Sequence, residues 1–154
     1  MALFLSAFIK RDMDQKRIDN LFKHYEKAFE KLDLKTISGF YADSFISAGP
    51  KGTIAQNKKE FEEKAELAAE FYRSVGQNSA RIISKKIIPV SDQYCMVVVH
   101  WGVTFEKTGI KPVEFDVSYI VQDTEAEPKI ILFISHQDEQ EAMQELGLQS
   151  QAVS

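Results

Sequence analysis

The chain has 154 residues, of which 44% are hydrophobic and 27% charged, and its formal net charge is −4. This length and composition predict one globular domain with a sizeable core and exclude a disordered chain. The Lys and Arg residues are scattered among Asp and Glu and form no long basic run, which argues against binding to nucleic acid.

Metal and disulfide chemistry have little support in the sequence. There is one cysteine, Cys95, so no intramolecular disulfide can form. The three histidines, His24, His100 and His136, are far apart and show none of the Cys/His spacings typical of zinc sites. We therefore expect no metal and no cofactor.

The N-terminus is apolar from Met1 to Ile9, but no positive charge precedes this run, as a signal peptide would require. The run is also shorter than the roughly 20 residues needed to cross a bilayer. We expect residues 1–16 to form a short arm or an extra helix that packs on the domain or on a partner subunit. A cytoplasmic protein without membrane contact is the corresponding expectation.

Three helices are predicted in the first half of the chain. Hydrophobic residues recur every three or four positions from Arg17 to Leu32, which is typical of an amphipathic helix. Asp33 is placed to cap a second, short helix. Asn57 and Glu60 have the spacing of a capping box at the start of a third helix, and Gly76 suits its end.

Strands are predicted mainly in the second half. A brief strand over residues 44–49 precedes a turn at 49–52. Four later segments are rich in Val, Ile, Phe and Tyr: Arg81–Val90, Tyr94–Lys107, Val113–Gln122 and Lys129–His136. A final helix over 138–146 and a frayed tail over 149–154 follow.

This order of elements predicts an α+β fold. Amphipathic helices followed by a long sheet imply three N-terminal helices packed on one face of a curved, mainly antiparallel sheet, as a cone-shaped barrel. The expected single domain covers residues 17–148, and the space between helices and sheet is a possible ligand cavity.

The side chains of the two longest predicted strands sort into two distinct faces when Glu106 is placed opposite Pro112. One face is then apolar: Trp101, Val103, Phe105, Val113, Phe115, Val117 and Tyr119. The other is polar: His100, Thr104, Glu106, Glu114, Asp116 and Ser118. Because a one-residue slip would mix the two sets, the apolar face is predicted to meet the helices and the polar face to meet water or another subunit.

Three stretches of sequence carry a resemblance to a known family. They are residues 24–37 (HYEKAFEKLDLKTI), residues 40–45 (FYADSF) and residues 134–139 (ISHQDE). Together with the order of the elements, they resemble the nuclear transport factor two-like superfamily, which includes the SnoaL-like polyketide cyclases and the ketosteroid isomerases. The resemblance extends over residues 18–148, and it is more specific for fold than for function.

The resemblance implies a cone-shaped pocket and often a homodimer built on the outer sheet face. Tyr25 matches the tyrosine that donates a hydrogen bond to the oxyanion in ketosteroid isomerases, although it also fits the core. The general base of those enzymes falls at Gly49 and a second oxyanion donor at Val117. Neither side chain can do that chemistry, so steroid isomerisation is not expected.

Our preferred hypothesis is a homodimer that binds a small hydrophobic molecule in an aromatic-lined pocket. The predicted lining residues are Tyr25, Tyr41, Trp101, Phe115, Val117 and Tyr119. The motivating observation is an apolar sheet face that carries no carboxylate.

Two alternatives remain open. The first is a SnoaL-like lyase, isomerase or cyclase that acts on a hydrophobic ring substrate through His100, Asp116 or Asp43. The predicted register places His100 and Asp116 outside the pocket, where a surface hydrogen bond is the simpler interpretation. The second is a protein-interaction adaptor, which predicts an exposed apolar patch.

Overall fold

The computed structural model describes residues 2–145 and Gly147, with side chains from residue 15 onward except those of residues 108, 140, 142 and 145. The helices are α1 (Ala2–Lys31), α2 (Leu34–Ser38), α3 (Lys58–Ser74) and α4 (Glu139–Glu145). The strands are β1 (Tyr41–Gly49), β2 (Gly52–Asn57), β3 (Gln77–Pro89), β4 (Tyr94–Phe105), β5 (Val113–Gln122) and β6 (Lys129–Ser135). The predicted tail over 149–154 lies outside the described residues.

Helix boundaries follow the capping residues that the sequence contains. Asp33 accepts a hydrogen bond from the Thr36 amide at 3.3 Å and starts α2. Asn57 and Glu60 form the reciprocal capping box of α3. Gly76 follows this helix with φ of 74°, a conformation that costs glycine little.

Helix α1 differs from its prediction because it begins at Ala2 and not at Arg17. The backbone of the expected arm is therefore the first part of α1, from Ala2 onward. No helix in the described part of the chain is long and apolar enough to cross a membrane.

The six strands form one sheet in the order β2-β1-β6-β5-β4-β3. All neighbours are antiparallel except β1 and β6, where Ser47 lies beside Phe133 in a parallel pair. The expected α+β fold, with helices on one face of a curved, mainly antiparallel sheet, is confirmed. Strand β2 was not predicted because it is short and most of its side chains are exposed.

The register of β4 and β5 differs from the prediction by two residues. Val103 pairs with Val113, and His100 pairs with Asp116, whereas the predicted pairing placed Val103 opposite Phe115. A 3-10 turn over Glu106–Thr108 lies between the strands and displaces the ends that the prediction had paired. The division into faces is nevertheless right, because a shift by two returns every side chain to its original side.

The inner face of the sheet forms the core together with α1. The core includes Phe22 and Trp101, neither of which has any exposed surface, and Tyr25 packs on Trp101 with ring centroids 5.7 Å apart. Burial of such aromatic side chains dominates the energetics of a core of this size.

The outer face is polar only in part. Near Phe105 it carries the predicted polar residues, but toward Tyr94 the same strands present apolar side chains that are half-buried or exposed. We call these residues the outer apolar patch: Met96, Val98, Ile120, Leu132 and Ile134. The sequence analysis predicted a polar outer face from the other half of these strands and missed the patch.

Candidate functional site

A cavity of about 760 Å³ lies between α3, the β1–β2 hairpin and the inner side of β5 and β6. This volume falls within the roughly 300–1,000 Å³ typical of small-molecule sites. Eight of its described lining residues are aromatic: Tyr25, Phe29, Tyr41, Phe61, Tyr72, Phe115, Tyr119 and Phe133. The small side chains of Ala65, Ala68 and Ala69 on α3 leave the space open.

Five of the six residues predicted to line the pocket lie on this wall: Tyr25, Tyr41, Phe115, Val117 and Tyr119. Trp101 does not. It is fully buried behind Tyr119, to whose hydroxyl its indole nitrogen donates a hydrogen bond of 3.0 Å. Helix α1 covers this part of the sheet, and the Phe29 ring lies 5.0 Å from the Trp101 ring, so Trp101 supports the wall from within the core.

Tyrosine hydroxyls form a small polar group within the apolar wall. The hydroxyls of Tyr25 and Tyr41 are hydrogen-bonded at 2.8 Å. Burial raises the pKa of Tyr25, Tyr41 and Tyr119 well above the usual value, so all three stay neutral. Tyr25 therefore combines features of both roles considered for it: its hydroxyl is hydrogen-bonded to Tyr41, as a core tyrosine would be, and the residue lines the cavity.

Glu139, the first residue of α4, also lines the cavity. The Tyr72 hydroxyl donates a hydrogen bond of 2.9 Å to its Oε2 atom. Burial raises the pKa of the Glu139 carboxyl; the Tyr72 hydrogen bond opposes this, and the nearby Asp138 charge reinforces it. An acid at the start of a helix normally faces solvent, which is why sequence analysis missed this residue.

Two further polar side chains lie on the cavity wall. Asp138 forms an ion pair of 2.8 Å with Lys51 from the turn of the β1–β2 hairpin. Gln56 is 6% exposed, and its amide nitrogen donates to the Ser47 hydroxyl. The Gln56 Oε1 atom is buried and has no hydrogen-bond partner within the part of the chain that the structure describes.

The predicted catalytic candidates lie elsewhere. His100 and Asp116 meet on the outer face, with Nδ1 and Oδ1 2.7 Å apart, and the other ring nitrogen lies 3.1 Å from Glu114. Asp43 is fully exposed and 3.7 Å from the Lys58 ammonium. None of the three is among the described residues of the cavity wall.

The electrostatics of the outer pair follow from these contacts. Hydrogen bonds to Asp116 and Glu114 raise the pKa of His100, and the same bond to His100 lowers the pKa of Asp116. His136 is also on the outer face, with Nε2 2.7 Å from the Ser118 hydroxyl. Among the described residues, no group of three or more His, Cys, Asp or Glu side chains is placed to hold a metal ion.

The positions that the resemblance assigned to isomerase chemistry do reach the cavity. Gly49 and Val117 both line it, but neither supplies an acid, a base or a hydrogen-bonding side chain. The wall at these two positions therefore lacks the groups of a steroid isomerase, as the sequence indicated.

The comparison with solved structures places the fold among known ones. A protein of unknown function from Shewanella oneidensis aligns with a TM-score of 0.65 at 18% identity, over 80% of this chain and 99% of its own. A protein with a cystatin-like fold from Novosphingobium aromaticivorans reaches 0.71 at 12% identity, over 86% of each chain. A ketosteroid isomerase-like protein from Erwinia carotovora aligns with a TM-score of 0.58 at 16% identity, over 77% of this chain and 92% of its own.

These identities are low enough that the likeness concerns the fold alone. No curated protein matches the sequence. Residues 13–138 match the family described as NTF2-like protein (DUF6841), and this match covers most of the chain. The chain therefore belongs to the NTF2-like family DUF6841.

Proposed function

We propose that the protein binds a small, largely apolar molecule in the cavity beneath α3. The observation that carries this proposal is an open space of about 760 Å³ whose wall is mostly aromatic and aliphatic. Protein interiors are close-packed, and a space of this size without an occupant forfeits the contacts that its lining could make. A ligand restores those contacts.

The acid–base alternative loses support in the form that the sequence suggested. General acid–base catalysis needs a titratable group within hydrogen-bond reach of the substrate. His100, Asp116 and Asp43 all lie away from the cavity, so they cannot act on a molecule bound there. The adaptor alternative keeps one supporting observation, the outer apolar patch, which equally suits self-association of the chain.

Native mass spectrometry of freshly purified protein and titration with the neutral probe N-phenyl-1-naphthylamine test the proposal together. We expect either a co-purified mass or saturable probe binding. The single tryptophan, Trp101, contacts the wall through Tyr119, so its emission should change with occupancy. Absence of both a bound mass and probe binding would contradict the proposal.

A substitution that fills the cavity localises the site. Ala68 lines the cavity, whereas its neighbour Leu67 is 70% exposed on the opposite side of α3. We expect Ala68→Phe to weaken probe binding by about tenfold or more, because the new ring occupies ligand volume. The matched control Leu67→Phe adds a ring to the same helix and should leave probe affinity unchanged. Equal affinities for both variants would place the probe elsewhere.

A further inference from the structure

The two carboxylates of the cavity differ in their partners. Asp138 is neutralised by Lys51 at 2.8 Å. Glu139 receives a hydrogen bond from the Tyr72 hydroxyl, but among the described side chains no Lys, Arg or His forms an ion pair with it. Glu139 is half-buried against a mostly apolar wall, where a carboxylate without a cation is costly, and a cationic ligand would remove that cost.

The side-chain amide of Gln56, also on the wall, has an oxygen without a hydrogen-bond donor among the described residues. The buried Oε1 atom of Gln56 has no hydrogen-bond partner within the described part of the chain, and its amide nitrogen is occupied by Ser47. Unsatisfied buried acceptors are rare in native proteins, and each one needs a physical reason. Rotation of the Gln56 amide would bring this oxygen to the cavity surface, where a ligand N–H could supply the missing donor.

The aromatic wall fits the same ligand. The face of an aromatic ring carries partial negative charge and attracts an ammonium group, with tyrosine and phenylalanine both effective. The cavity presents eight described aromatic side chains, including Tyr72, whose hydroxyl contacts Glu139. All three kinds of group favour a cation: the carboxylate and the amide oxygen accept hydrogen bonds from it, and the ring faces attract it through cation–π interactions.

We propose that the ligand of this cavity is an organic amine with an apolar body, whose protonated nitrogen is held by Glu139 against the aromatic wall. This inference rests on the proposed function, since it specifies the class of molecule that the cavity takes. Glu139 is a binding residue in this scheme, and Tyr72 positions its carboxylate through the hydrogen bond to Oε2.

The titratable groups that face the cavity set the pH dependence. Besides Glu139 they are Asp138, Lys51, Lys64 and the neutral tyrosines. Burial raises the pKa of the Glu139 carboxyl. Amine binding should therefore strengthen as pH rises through this pKa, and below it binding should be accompanied by release of the carboxyl proton. The affinity falls again only when the amine itself loses its proton.

Calorimetric titration with two matched probes tests the inference: 2-(1-naphthyl)ethylamine and 2-(1-naphthyl)ethanol. The probes share ring and chain length and differ in charge at the end of the chain. At neutral pH we expect the amine to bind about tenfold tighter than the alcohol. Glu139→Gln keeps the shape of the side chain but removes its charge, and it should abolish the preference for the amine over the alcohol.

Glu141→Gln is the matched control, because Glu141 is an exposed acid on the same helix. This variant should keep the preference for the amine. Circular dichroism checks that each variant folds, and the comparison of the two probes on the unmodified protein remains decisive if Glu139→Gln does not fold.

The outcomes separate the two proposals. Equal affinity for amine and alcohol, or a preference that survives in Glu139→Gln, overturns the amine inference and leaves the proposed function intact. If no mass co-purifies with the protein and neither the naphthyl probes nor N-phenyl-1-naphthylamine bind, the proposed function itself fails.

Discussion

His100 lies between two carboxylates on the outer face of the sheet, although only one of these contacts was predicted from the sequence. The predicted contact with Asp116 is present, with Nδ1 and Oδ1 2.7 Å apart, and Glu114 adds a second contact at 3.1 Å. The alternation of side chains along each strand places His100 and Asp116 on the same face, and cross-strand neighbours on one face interact. What alternation does not supply is the exact register, and hence the second partner.

The His100 pair should make stability depend on pH. The raised pKa of His100 means that its contribution is complete below about pH 6.5, the unfolded value, and is lost as pH rises through the folded value. The lowered pKa of Asp116 means that its contribution is present above about pH 3.9 and is lost as pH falls through the folded value. The contribution is therefore greatest between about pH 4 and 6.5.

We expect His100→Gln to lower the free energy of unfolding by less than about 1 kcal/mol at about pH 5.5, because the pair is partly exposed and screened. The difference should shrink by about pH 8.5, because the imidazole loses its proton as pH rises through its raised pKa. Urea denaturation of the two proteins, with Asp116→Asn and the double variant completing a cycle, measures the coupling. A coupling that is equal at both pH values would show that charge does not contribute.

Glu139 marks the limit of prediction for single residues of the site. The sequence placed the residue correctly at the start of the last helix, and its neighbours belong to the stretch that carries the family resemblance. Its orientation depends on where α4 lies against β5 and α3, which is a tertiary contact without a local signal. The displacement of Trp101 from the cavity wall has the same origin, since it depends on where α1 crosses the sheet.

At the scale of elements, α3 shows how a correct pattern can acquire a different meaning. Phe61, Ala65, Ala68 and Tyr72 recur at helical spacing along α3, and all four line the cavity, although Phe61 and Tyr72 also pack against the edge of the core. Periodicity identifies the face of a helix but cannot say whether that face meets side chains or an open space. The later strands were predicted because they are long and rich in β-branched and aromatic residues, whereas β2 is short and contains only two such residues, Thr53 and Ile54.

The capping box is expected to stabilise α3 and, through it, the roof of the cavity. Asn57 ends β2 and caps α3, so its side chain fixes the angle between the hairpin and the helix. We expect Asn57→Ala to reduce the free energy of unfolding by about 1 kcal/mol. Urea denaturation measures the effect, and Asn78→Ala, at an exposed position in β3, serves as control. Equal effects of the two substitutions would argue against a capping role.

At the scale of the whole molecule, the outer apolar patch groups five half-buried or exposed apolar side chains on three neighbouring strands. Exposed apolar patches on soluble domains commonly mark interaction surfaces. We propose that two copies of the chain associate through this face, which joins the patch to the polar region around His100. The expected homodimer would protect both surfaces from water.

Sedimentation velocity tests the association. Ile134 is 41% exposed within the patch, and a glutamate there would bring uncompensated charge into the interface. We expect a dimer for the unmodified protein and a monomer for Ile134→Glu. Leu67→Glu, on the helical side of the molecule, should remain dimeric. A monomeric unmodified protein at micromolar concentration would rule out a stable dimer through this face.

The parallel contact between β1 and β6 constrains the order in which the molecule can be made. Tyr41 lies beside Ile130, so the β1–β2 hairpin reaches its place in the sheet only after β6 has left the ribosome. Pairings between residues so distant in sequence form slowly, because a long loop must close first. The cavity wall combines β1 and β2 with β6 and is therefore completed only after all the intervening strands have been synthesised.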